Sequence, residues 1–153
     1  MKMVFDILSE PADETYRQLL RECREYSTTA LLVVRDPEDL TASAVDFLAS
    51  VEPWCLRKEL KSEWPGTVMK GFLATIYTYG LDEDSLSRFQ NAATRLYQWV
   101  QPELPEDLCF LRFDGRPLLV TIMHERDAYL NMTESEAEGL MLAIPSLKLS
   151  RRG

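Results

Sequence analysis

The sequence predicts a single α+β domain spanning residues 1–153, with a mixed or antiparallel sheet, about four helices and a C-terminal three-strand meander. Three observations carry that prediction. Apolar residues recur at helical spacing in four separate segments. A β-branched run, continuously apolar in its middle, lies at 28–35. Strands then cluster toward the end of the chain, whereas a doubly wound parallel sheet would alternate strictly between strand and helix. No repeat, low-complexity segment or dividing linker interrupts the 153 residues. A chain of that length buries enough surface to need no disulfide or metal staple.

The first helix is expected over 12–26, where Tyr16, Leu19, Leu20 and Cys23 fall on one stripe while Arg17, Arg21 and Glu25 face water. Residues 28–35 follow as a strand covered on both faces. Asp36 then caps a second helix with Pro37 at its first position, and Leu40, Ala44, Phe47, Leu48 and Val51 form its buried stripe up to Pro53. Leu56–Leu60 suggests a short helical turn, and Trp64-Pro65-Gly66-Thr67 a turn or loop. Aromatic and β-branched residues predict a strand over 68–79, with Gly71 marking a bulge or close approach. Asp82-Glu83-Asp84-Ser85 opens what reads as the longest helix, striped by Leu86, Phe89, Ala93, Leu96, Tyr97 and Val100 and ended by Pro102 and Pro105. Two apolar runs, 108–113 and 116–123, flank Asp114-Gly115, a pair suited to a two-residue type I′ turn. A third strand over 128–132 completes the meander. Thr133 and Glu136 make a capping box for the last helix, whose core face is Ala137, Leu140, Met141 and Ile144.

Twenty-five acidic residues against 17 basic ones give a net charge of −8. Basic residues cluster only at Arg57-Lys58 with Lys61, interleaved with Glu59 and Glu63, and at the terminal Arg151-Arg152, so nucleic acid is not an expected partner. An acidic surface instead favours encounter with a basic protein. No apolar stretch approaches the ~20 residues a bilayer requires, and 1–6 lacks a signal-peptide core. Three widely separated cysteines fit reduced thiols, which makes the cytosol the expected compartment and a membrane no partner.

His124, the only imidazole, is the first candidate for acid–base chemistry. A two-residue turn pairs Phe113 with Arg116, Leu111 with Leu118, Cys109 with Val120 and Asp107 with Ile122. His124 then lies one same-face step beyond Ile122, diagonal to Asp107. An aspartate there would fix the tautomer and raise the basicity of the ring, as catalytic dyads do, or else simply satisfy it at a strand end. Cys109 sits mid-strand, away from the imidazole, and reads as a small hydrophobe. No Cys or His spacing suits a metal, the acids at 82–84 lack a calcium loop's glycine, and Gly66-Thr67 is not followed by a phosphate-loop lysine, so no metal or cofactor is expected. Trp64, Thr67 and Glu125 are the candidate ligand or partner contacts. Trp64, in a predicted loop, is either tucked beneath it or exposed as an anchor.

Two segments stand out together. They are Ser62-Glu63-Trp64-Pro65-Gly66-Thr67 and Leu104-Pro105-Glu106-Asp107-Leu108-Cys109-Phe110, the latter running through Asp114-Gly115 to His124-Glu125. In these the chain resembles small bacterial proteins that carry no assigned activity, with a Trp-Pro-Gly-Thr loop, a Leu-Pro-Glu-Asp-Leu strand and a His-Glu end. Small acidic bacterial proteins of this size include toxin immunity proteins, and the resemblance implies that direction. The functional expectation is therefore a non-enzymatic binding module, immunity- or regulator-like, with an acidic surface for a basic protein partner. The alternative is a small enzyme or ligand-binding domain built on Asp107 and His124. A self-associating scaffold is a third possibility.

Overall fold

The computed structural model describes residues 1–153. In chain order the elements are β1 (Met3–Ile7), α1 (Glu14–Arg24), β2 (Thr29–Val34), α2 (Ala42–Val51), β3 (Cys55–Lys61), β4 (Glu63–Trp64), β5 (Thr67–Val68), β6 (Ala74–Gly80), α3 (Glu83–Ala92), β7 (Glu106–Leu111), β8 (Pro117–Ile122), β9 (Asp127–Met132), α4 (Glu134–Ala143) and β10 (Leu149–Arg151). Eight strands form one antiparallel sheet in the order β10-β1-β9-β8-β7-β2-β6-β3, and β4 pairs with β5 as a separate hairpin. The chain is thus an α+β domain with the expected meander, β7-β8-β9. No helix is long and apolar enough to cross a membrane.

All four helices supply side chains to one core on one face of the sheet. The stripe of α1 is fully buried at Tyr16, Leu19, Leu20 and Cys23, and each large side chain so buried contributes roughly 1.5–3 kcal/mol. Phe47, Tyr79, Phe89, Trp99 and Phe110 meet edge-to-face or tilted at that core. The opposite face carries a smaller cluster, with Leu31, Val33, Ile76, Cys109, Val120 and Ile122 beneath Trp64. Strand β2 therefore has apolar neighbours on both sides, as its unbroken apolar run requires.

Several expected elements differ. Residues 56–60 form part of β3 and make no helical turn, because β6 supplies backbone partners from Arg57↔Thr78 to Lys61↔Ala74. The loop at 64–67 is a hairpin: Pro65 and Gly66, the latter at φ 85°, form its two-residue turn. The strand expected at 68–79 is two, divided by a turn in which Gly71 takes φ 73°. Asp36 and Pro37 begin only a short 3-10 turn, and α2 starts at Ala42. The helix from Glu83 stops at Ala92, since Thr94, Arg95 and Leu96 bond instead to the segment Pro11–Asp13. The capping box at Thr133 and Glu136 forms as read.

The β7–β8 turn also departs from the two-residue form. Gly115 N–H donates to the Arg112 carbonyl, Arg112 N–H to the Arg116 carbonyl, and only Gly115 adopts positive φ, at 86°. This is a three-residue loop with a bulge at glycine, held by the Asp114 carboxylate accepting from Arg116 N–H. The extra residue is absorbed between Leu111↔Pro117 and Phe110↔Leu119, so Leu111 faces Pro117 where Leu118 was expected, while Phe110↔Leu119 keeps the expected register.

Candidate functional site

The two buried carboxylates, Glu106 and Asp107, lie at one end of β2, where Arg35 follows the last strand residue. A regular strand sends neighbouring side chains to opposite faces. Here Asp107 adopts a left-handed conformation, φ 55°, and the β2–β7 register shifts between Leu31↔Cys109 and Val33↔Glu106. That bulge lets two consecutive carboxylates reach one guanidinium. Arg35 Nε bonds Glu106 Oε2, and its Nη2 lies 3.6 Å from Asp107 Oδ2. Gln101 secures the turn beyond the strand, accepting from Asp36 N–H and donating to the Asp36 carbonyl.

Asp107 is fully buried and its oxygens have separate tasks. Oδ1 accepts from Met123 N–H at 2.9 Å, and Oδ2 accepts from the Trp64 indole N–H at 2.9 Å. The indole thus anchors the β4–β5 hairpin to the sheet, and the Arg35 guanidinium carbon lies 5.2 Å from the ring centre. Met69 sulfur meets another guanidinium nitrogen. Gly66 is required here on two counts. Its φ is positive, and a Cβ would stand 2.8 Å from Ile122 Cγ1.

The sequence candidates are placed around this cluster in different ways. His124 lies in the 3-10 turn Met123–Glu125 with its side chain 52% exposed. Its Nδ1 is 3.4 Å from Arg35 Nη2, and its Nε2 is 3.9 Å from Glu125 Oε2. It makes no hydrogen bond to Asp107: the aspartate is engaged by Met123 and Trp64, and Arg35 is the group that touches both residues. Of the two outcomes open for Trp64, the ring is tucked under its hairpin. Thr67 is buried with its hydroxyl unpartnered, and Glu125 is exposed at the rim. Burial pushes the Cys109 thiol up to about 12, which leaves it protonated at neutral pH.

Arg35, Glu106 and Gln101 were not singled out from the sequence. The available signals were a charged residue closing an apolar strand and two adjacent acids opening another. Chemically, the cluster fixes charges against one another. One cleft, of about 670 Å³, lies elsewhere, between α2 and α3 past Phe47, Trp54 and Arg88, and another, of about 600 Å³, borders the cluster at Trp64 and is lined also by Leu60 and Leu73. No three His, Cys, Asp or Glu side chains converge as metal ligands. Comparison with protein-family models, curated proteins and solved structures finds no match to this chain.

Proposed function

We propose that this chain is a non-enzymatic binding module, immunity- or regulator-like, that presents an acidic face to a basic protein partner. One observation carries the reading. Asp36, Glu38, Asp39, Asp46 and Glu103 are exposed around the start of α2, and none has an ion-pair partner within the chain. Thr41 and Ser43 hydroxyls tie the Glu103 carboxylate to this group. The other acidic helix start is mostly occupied internally: Asp82 accepts from Ser85 N–H and the Trp54 indole, and Glu83 faces Arg21 and Arg24, leaving Asp84 alone unpaired. Uncompensated carboxylates accelerate encounter with a cation-rich surface and lose that effect as salt rises. The engagement of Asp107 by structural donors, with no bond to His124, also favours binding over catalysis.

The test is affinity capture from extract of the source cell at about 50 mM and about 200 mM salt. A basic protein held in stoichiometric amount is expected, associating faster at the lower salt. The charge-reversed variant Glu38→Lys/Asp39→Lys/Asp46→Lys should bind it about tenfold or more weakly while melting normally. Recovery of no protein at either salt overturns the reading.

A further inference from the structure

The sheet has two edges, and they differ. β10 is only three residues, whereas β3 runs for seven with β6 on one side and no strand on the other. Long open edges invite pairing, and natural sequences blunt them with charged side chains, proline or bulges. β3 has a bulge between Cys55 and Arg57, and beyond it the charges alternate in sign. Arg57, Glu59 and Lys61 share the hairpin face, with Glu59 3.3 Å from Arg57 and 3.9 Å from Lys61. Lys58 and Leu60 point to the helix face. There the Lys58 ammonium lies 3.3 Å from Glu52 and 5.6 Å from the Tyr77 ring centre, while Leu60 is 68% exposed.

Geometry restricts how a second β3 can dock. Antiparallel pairing through a two-fold axis keeps every side chain on its own face, so the axis must pass through a residue that meets its own twin. An axis at Arg57, Lys58, Glu59 or Lys61 sets like charge against like. Leu60 is the single position from 57 to 61 that escapes this. With the axis there, Glu59 of each copy faces Lys61 of the other, and the two exposed Leu60 side chains cover one another. Opposite charges directly across a ladder stabilise it and like charges oppose it.

We propose that β3 pairs antiparallel with β3 of a second copy, centred on Leu60, joining two sheets into one. This does not depend on the acidic face at α2. Sedimentation equilibrium of the full chain from about 1 μM to about 1 mM tests it. The wild-type chain should reach twice its monomer mass. Glu59→Lys and Lys61→Glu, each placing like charges across the ladder, should raise the dissociation constant about tenfold or more, and combining both substitutions should restore it to within about threefold. Leu60→Lys should give monomer. All three sites are solvent-facing, and circular dichroism confirms that each variant is folded. A wild-type chain that stays monomeric throughout overturns the proposal. So does a dimer indifferent to the single substitutions, which uses another surface, or a monomer whose β3 amides are protected only by a different protein.

Discussion

Asp107→Asn is the most informative single change, because it alters charge and donors while leaving shape and backbone demand almost unchanged. Asparagine is among the residues most tolerant of left-handed backbone, so the φ of 55° is retained without new strain. The carboxylate now accepts from Met123 N–H and the Trp64 indole, both at 2.9 Å. An amide offers one oxygen and turns its NH₂ toward the remaining donor. A hydrogen bond to a charged acceptor contributes roughly 1.5–3 kcal/mol, and leaving its buried partner unsatisfied costs a similar amount. Arg35 keeps Glu106 and loses only the longer 3.6 Å pairing. The expected destabilisation is about 2–4 kcal/mol, a fall in Tm of roughly 6–12 °C for a chain of this size. Urea unfolding of Asp107→Asn, Trp64→Phe and the double variant measures it. Removing the indole N–H relieves the donor clash, so the double variant should be less unstable than the sum by about 1 kcal/mol or more. A loss below about 1 kcal/mol, or strict additivity, refutes the assignment of Oδ2 to Trp64 as a stabilising contact.

The two turn glycines should part company. Gly66→Ala meets both positive φ and Ile122, and should cost about 2–4 kcal/mol, whereas Gly71→Ala, with open space around it, should cost about 1 kcal/mol; equal urea midpoints would contradict this. Iodoacetamide near pH 8 should add one group to the folded chain, at Cys55, and three after unfolding, because burial pushes Cys23 and Cys109 up to about 12; intact mass reads the count. Glu136 is pushed up by burial, yet the Arg112 fork and Thr133 N–H outweigh that and hold its carboxyl below the usual range. A depressed folded value means its contribution is complete above the unfolded value and disappears as pH falls through the folded one. Chemical denaturation from pH 7 to pH 3 should therefore show a steeper acid loss in wild type than in Glu136→Gln, and parallel curves would refute the pairing as a source of stability.

What the sequence disclosed follows from where apolar periodicity decides structure. The α1 stripe, the Thr133 capping box and the order of the meander strands rest on local patterns and appear as read, whereas the register beside the β7–β8 turn shifts by one residue. β3 escaped because an edge strand is held by backbone bonding to β6, while its residues, from Arg57 to Lys61, carry the charges of a solvated helix. The short strands β1 and β10 depend on each other and on β9, and so have little pattern of their own. At the candidate site, the sequence placed Asp107 and His124 near one another through the ladder. It carried no signal for the left-handed residue that turns Asp107 toward Arg35, nor for the hairpin that delivers Trp64 from over forty positions away.

The pairing of β1 with β10 has a practical corollary. Arg152 N–H donates to the Val4 carbonyl and its guanidinium meets Asp6, so both chain ends leave the molecule at one corner. A linker of a few residues would close the backbone into a ring, and fresh termini opened at the uncrowded Gly71 turn would tether a circular permutant on the far side of the sheet.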